Sequence, residues 1–305
     1  MKIGVDIGGT KCAVVLGNEQ GIVKKIKFQT KSCDETVADI IAAIGQIGEF
    51  DGIGISCGGP LDDQKGIIMS PPNLPGWDNI PITDILTEHF GVPAKLCNDA
   101  NACALAEWRY GAGRGTRNMV FLTFGTGLGA GLILDGRLYS GTNGMAGEVG
   151  HIRLSEHGPV GYGKSGSFEG FCSGGGIAQI GRTLAMEQLQ MGKSLPYCSS
   201  ISELDGINAK ILAEYADKGD EVALNVYRIC GEMLGKGVAV IVDILNPEAV
   251  VIGSIFERSE SLLREHMERY LTKESLDLSR GVCRVLPAAL GDSIGDYAAL
   301  AVAFE

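Results

Sequence analysis

Apolar residues come in short blocks whose period changes along the chain. Met1 to Ile7 is an apolar run that stops at Gly8-Gly9, a strand entering a turn. Cys12 to Leu16 is a second run, and Ile22 to Phe28 alternates apolar with polar residues as a half-buried strand does. From Asp34 to Ile47 the period turns helical, with Val37, Ile40, Ile41, Ile44 and Ile47 on one face, and Gly52 to Ser56 returns to strand. Three strands, a helix and a strand predict an α/β fold that opens on an antiparallel meander, unlike the even alternation of a barrel. Pro71, Pro72 and Pro75 mark an irregular loop. A helix over 82–90, a strand over 94–96 and a helix over 100–110 follow, then a glycine-rich link over 111–115.

The pattern then restarts. Met119 to Leu134 reads as strand, glycine turn, strand. Helices are expected over 174–189, 207–217, 221–245, 260–271 and 293–304, with strands over 249–252 and 282–286. The stretch from Gly141 to Glu169 is long, irregular and rich in glycine, and a loop of that length inside a compact domain usually has a function. Gly231, Gly235 and Gly237 fall within a helical pattern at about 1 kcal/mol each relative to Ala, which predicts close helix packing there. Asp6 to Lys11 (DIGGTK) and Phe124 to Gly129 (FGTGLG) both sit between two apolar strands. Two like halves predict a duplicated α/β fold, with two domains around a cleft. The expected boundaries are 1–116 for a small domain, with a closing helix at 293–305 packing back on it, and 117–292 for a larger one.

Composition narrows the chemistry. Of 305 residues, 45 are glycine, and they cluster rather than forming a Gly-X-Y period or one linker. Asp and Glu total 37 against 26 Lys and Arg, a net charge of −11. Nucleic acid is not an expected partner, and an anionic substrate has to be held by local backbone N–H groups instead of global charge. The nine cysteines are odd in number and irregular in spacing, and the start MKIGVDIGG has no apolar signal segment. Reduced thiols in a cytoplasm are the expectation, without a membrane span, because no run of about 18 apolar residues is uninterrupted.

Taken alone, each candidate motif has two readings. Gly8, Gly9, Thr10 and Lys11 could cradle a phosphate beside Asp6, which suits a hydrated Mg²⁺, or could form a plain hairpin turn. A second such turn at Gly125, Thr126 and Gly127 favours phosphate. Neither a P-loop nor a dinucleotide fingerprint is present. Asn98 and Asp99 precede a helix, where either could be an N-cap, while Asp99 could also be a general base for a sugar hydroxyl. Glu148 and His151, flanked by glycine, could contact a polyol or simply be loop residues.

Several motifs together resemble the ROK family (repressor, open reading frame, kinase) of sugar kinases, in the actin/hexokinase/heat-shock ATPase superfamily. They are DIGGTK (6–11), GGPLD (58–62), NLPGW (73–77), NDANACALAEW (98–108), FGTGLGAG (124–131), AGEVGH (146–151), NPEAVVIG (246–253) and LGDSIGDYAAL (290–300). The resemblance implies a duplicated ribonuclease-H-like (actin-like ATPase) fold and an ATP-dependent hexose kinase using Mg-ATP. Asp6 and Gly8 to Lys11 would be its first phosphate loop and Gly125 to Gly127 its second. Asp99 would be the base, Gly59, Asn73, Asn98, Glu148, His151 and Glu169 would contact the sugar, and Gly174, Gly175 and Gly253 would hold the adenosine. The γ-phosphoryl group would pass to the 6-hydroxyl, with glucose-type sugars favoured. An N-acetylmannosamine or other N-acetylhexosamine kinase and a non-catalytic sugar-sensing protein are the alternatives. A homodimer is an assembly common in the family.

One segment departs from the family pattern. The usual zinc-binding C-x-C-G-x-x-G-C-x-E segment here reads VGYGKSGSFE, with Val160, Tyr162 and Ser167 at the cysteine positions. One histidine cannot complete a four-ligand site, so no structural zinc is expected. Packing of Tyr162, Phe168 and Phe171 would have to hold the loop instead. Ser254 stands where a second glycine is usual.

Overall fold

The computed structural model describes residues 1–305. Strands β1 (Lys2–Ile7), β2 (Lys11–Asn18) and β3 (Gly21–Gln29) form an antiparallel meander. Helix α1 (Cys33–Ile47) leads to β4 (Ile53–Cys57), and β5 (Leu61–Asp62) and β6 (Ile67–Ile68) make a small hairpin. Then come α2 (Ile82–Phe90), β7 (Ala94–Asn98) and α3 (Asp99–Tyr110), followed by β8 (Met119–Phe124), β9 (Leu128–Leu134) and β10 (Arg137–Leu138). A second hairpin, β11 (Val160–Gly161) and β12 (Lys164–Ser165), precedes α4 (Phe168–Phe171), α5 (Gly174–Gln190), α6 (Ala209–Ala216) and α7 (Glu221–Leu245). The chain finishes with β13 (Ala249–Ile252), α8 (Ile255–Arg258), α9 (Glu260–Glu274), α10 (Asp277–Arg280), β14 (Arg284–Pro287) and α11 (Ile294–Val302).

The strands lie in two five-stranded sheets. The first has the order β3-β2-β1-β4-β7, the second β10-β9-β8-β13-β14. Each starts from three consecutive strands at one edge and adds two later ones beyond the first of them. The repeated order is the duplication that the paired glycine turns suggested. In the first sheet β1, β4 and β7 run parallel.

Met1–Phe121, Gly131–Ala146 and Ala288–Glu305 form one compact unit, and Leu122–Ala130 with Gly147–Pro287 a second. In the first unit, Ile3, Val5 and Ile7 of β1 share an apolar cluster with Ile40, Ile44 and Ile47 of α1 and with Trp77. On the other face of the sheet Gly4 and Gly54 leave room for a helix. A side chain at Gly4 would run into the backbone of Leu300, and one at Gly54 into the backbone of Ala303, so α11 lies directly on β1 and β4. In the second unit the helical glycines do what their cost implied. A Cβ at Gly231 would stand 2.8 Å from the Leu263 carbonyl, one at Gly235 would strike the Met267 carbonyl, and one at Gly237 the ring of Phe168. Helix α7 can approach α9 at Gly231 and Gly235, and Phe168 of α4 at Gly237, this closely because those side chains are missing.

None of the nine cysteines is in a disulfide. No helix is long and apolar enough to cross a membrane.

Candidate active site

In the first unit, β1 carries Asp6 near its C-terminal end, and the turn to β2 holds Gly8, Gly9 and Thr10 before Lys11. Thr30 fixes this turn. Its hydroxyl donates to the Gly8 carbonyl at 2.6 Å and its N–H to the Thr10 carbonyl at 3.1 Å. Sequence reasoning missed Thr30, which carries no motif and reaches the turn from across the sheet. A side chain at Gly9 would strike the backbone carbonyl of Asn73, so the turn passes directly over that loop. At Gly58 a Cβ would stand 3.8 Å from the Asn73 amide and 3.9 Å from Asp99 Oδ2. Asn73, Gly58 and Asp99 are thus gathered at the ends of β4 and β7, and Gly59 follows directly with a cis bond to Pro60.

Here the two readings of Asn98 and Asp99 separate. Asn98 Oδ1 accepts from the Asn101 N–H at 2.8 Å and is the N-cap of α3. Asp99 Oδ1 accepts from the Ala100 N–H at 2.8 Å. Its Oδ2 faces Gly58 and Asn73. The carboxyl remains accessible to solvent, yet protein surrounds it on most sides. The resulting desolvation raises its pKa above the ordinary carboxylate value, partly offset by the Ala100 N–H. Asp6 is also raised, first by burial and then by the nearby charge of Asp99, against the lowering effect of Lys25, Lys11 and Lys27. Lys25 forms an ion pair with Asp296 of α11, a residue only 5% exposed. Burial and the adjacent Lys27 bring Lys25 down to about 8.

In the second unit, the turn between β8 and β9 is a hub. Gly125 N–H donates to the Gly127 carbonyl at 3.1 Å, and the Gly125 carbonyl accepts from Gly174 N–H at 2.8 Å, at the start of α5. Gly175 is the next residue of that helix. Gly253 N–H donates to the Leu122 carbonyl at 3.0 Å, placing the end of β13 beside β8. Ser254 follows with φ of 57°, a conformation that suits glycine, and its hydroxyl would lie 3.7 Å from a Cβ at Gly125. Gly125 to Gly127, Gly174 and Gly253 therefore meet at one place.

Glu169 reaches the same turn. Its Oε2 accepts the Leu128 N–H at 3.0 Å and would be 2.7 Å from a Cβ at Gly127, so one carboxylate oxygen is committed to the glycine turn. Glu148 begins a single 3-10 turn, Val149–His151, and both Glu148 and His151 are exposed. Gly147 anchors that segment: its carbonyl accepts from Ala130 N–H at 2.8 Å, and its φ of 95° leaves no room for a side chain against β9.

The expected packing of the 158–172 loop needs one correction. Phe168 and Phe171 are buried, but Tyr162 is 90% exposed and takes no part in that packing. Polar contacts take its place. Gln179 of α5 brackets the backbone of Val160, accepting from its N–H at 2.9 Å and donating to its carbonyl at 2.8 Å. Ser167, fully buried at another of the cysteine positions, caps α4 by accepting from Gly170 N–H at 3.0 Å. No group of three or more His, Cys, Asp or Glu side chains is arranged to hold a metal ion. A magnesium ion bound with a nucleotide would take an oxygen donor, and Asp6, whose pKa is raised first by burial and then by Asp99, is the residue that would hold it.

Comparison with known proteins gives a consistent answer. The ROK family model matches residues 2–305. The glucokinase of Thermotoga maritima is 32% identical over 315 aligned positions, covering 99% of this chain and 97% of that protein. The N-acetylmannosamine kinase of Escherichia coli is 30% identical over 278 positions, covering 89% and 88%. Among solved structures, a ROK family glucokinase from Streptomyces griseus in complex with glucose and AMPPNP aligns with a TM-score of 0.75 at 30% identity, covering 99% of both chains. The chain belongs to the ROK family, and its two sheets with their helices have the actin-like ATPase fold.

Proposed function

We propose that this chain is an ATP-dependent hexose kinase that transfers the γ-phosphoryl group of ATP to the 6-hydroxyl of a hexose, glucose-type sugars favoured. Family membership over the whole chain and similarity to glucokinases support the reaction class. Asp99 carries the chemistry. One of its oxygens accepts from a backbone N–H, the other faces Gly58 and Asn73, and burial raises its pKa above the ordinary carboxylate value. A hydroxyl attacking phosphorus must lose its proton, and a carboxylate within hydrogen-bond reach accepts it.

The remaining residues bind and orient. Backbone N–H groups of Gly8, Gly9, Thr10, Gly125, Thr126 and Gly127, with the Lys11 ammonium, would meet phosphate oxygens. Gly174, Gly175 and Gly253 would leave space for the adenosine. Magnesium, bound with the nucleotide and held by Asp6, would offset phosphate charge. Gly59, Asn73, Asn98, Glu148, His151 and Glu169 would hold the sugar. Since Asn98 Oδ1 caps α3 and Glu169 Oε2 holds Leu128, the Asn98 amide N–H groups and Glu169 Oε1 are the atoms left for hydroxyls.

Coupled ADP release over a panel of glucose, mannose, allose, N-acetylmannosamine and N-acetylglucosamine tests the assignment. Turnover highest on N-acetylmannosamine would favour the second reading, which the Escherichia coli relative motivates. Sugar binding without turnover would mean a sensor, not an enzyme. Asp99→Asn should fold and bind sugar but lose about 10³-fold in kcat. Near-normal turnover would remove Asp99 as the base.

A further inference from the structure

The β11–β12 hairpin breaks the local rule for its turn. Its two central residues, Tyr162 and Gly163, have φ of 43° and 76°. Consecutive positive φ values favour Asn-Gly or Asp-Gly, and a bulky aromatic residue is disfavoured there. Tyr162 gains no burial in exchange, since it is 90% exposed. Its ring stands edge-on to the imidazole of His151, with centroids 6.2 Å apart. The hairpin is fastened in that position. Lys164 Nζ donates to the His151 carbonyl at 2.6 Å, the Arg153 guanidinium donates to the Ser165 carbonyl at 2.8 Å, and Gln179 brackets Val160. The fold therefore holds an exposed aromatic ring in a costly backbone conformation beside an exposed imidazole. Residues that break local rules without a packing gain concentrate at functional sites.

We propose that Tyr162 is a sugar-contact residue whose ring packs against the apolar C–H face of the acceptor hexopyranose while His151 meets its hydroxyls. This rests on the assignment of His151 to the sugar. Aromatic rings suit the task because they offer a large, rigid apolar surface at small entropic cost, with a phenol that stays hydrated. The contact is with the part of the sugar that does not react. Its loss should weaken binding of the ground state and the transition state alike, raising KM and leaving kcat in place.

Steady-state kinetics of the full chain tests this on the sugar that the wild type phosphorylates best, with Tyr162→Asn and Tyr162→Phe. Asn is the residue that the turn prefers, so that variant should fold at least as well. Tyr162→Asn is expected to raise the sugar KM roughly three- to tenfold, the equivalent of one lost aromatic contact, with kcat and the ATP KM within about twofold of wild type. Tyr162→Phe should keep the wild-type KM. An unchanged sugar KM in active Tyr162→Asn overturns the contact and leaves the kinase assignment standing. A raised KM accompanied by a change of mass in light scattering also overturns it, as Tyr162 would then belong to an interface. A wild-type protein that neither phosphorylates nor binds any sugar overturns both.

Discussion

At Asp99 one physical effect acts on both catalysis and stability. Desolvation raises its pKa, so the base form is lost on acidification at a higher pH than for an ordinary carboxylate. The acid limb of kcat/KM should accordingly lie above the range of a free aspartate and disappear from the residual activity of Asp99→Asn. The stability consequence has the opposite sense. A carboxylate whose folded pKa exceeds its unfolded value binds protons more tightly when folded, so stability falls as pH rises through that interval. Asp99→Asn should melt higher than wild type at neutral pH, and the gain should vanish as pH drops below about 4. Glu107 of α3 is a different case. It is fully buried and accepts from the N–H groups of Ala112, Ala289 and Leu290 at 2.7, 3.0 and 2.9 Å. Glu107→Ala would leave three donors unpaired and should cost about 3–5 kcal/mol, read as a lower urea midpoint at unchanged slope. Asp99 stood out in the sequence because NDANA precedes a helix. Nothing marked Glu107, because two of its partners lie some 180 positions further along the chain.

Elements were legible wherever one periodicity persisted. The helices at 82–90 and 221–245 and the strand at 249–252 begin and end where the apolar pattern places them. The pattern expected a helix from 207, but it begins at Ala209 because Asn208 accepts from Ile211 N–H as its cap. The hairpins at β5–β6 and β11–β12 left no trace, since two-residue strands have no measurable period. Glycine inside α7 was readable as a packing signal, and it can be tested there. Gly235→Ala would set a methyl group against the Met267 carbonyl and within 2.8 Å of Tyr270 Cβ, forcing α7 from α9. A loss of about 1–3 kcal/mol in thermal unfolding is expected, whereas Gly→Ala in an open helix would stabilise by up to about 1 kcal/mol. An increase in stability would show that the two helices are not in contact there.

Across the whole molecule, the duplicated sheet order was foreshadowed by two Gly/Thr turns, each the first reversal of its own half. The sequence predicts a closing helix at 293–305 packing back on the first domain, but it does not show which strands that helix meets. Ala288–Glu305 belongs to the first unit, and α11 rests on Gly4 and Gly54, which lie hundreds of positions earlier. A chain ending at Pro287 should lose slow amide exchange in β1 and β4 while β13, α7 and α9 keep theirs. Equal protection in both sets would mean that α11 is dispensable. The same contact sets a timetable for synthesis. The ribosome releases β1 to β4 first, but the helix that covers the face of Gly4 and Gly54 emerges only after the second unit has been made. A nascent chain of this protein thus waits with one face of its first sheet uncovered until residues made after the second unit complete it.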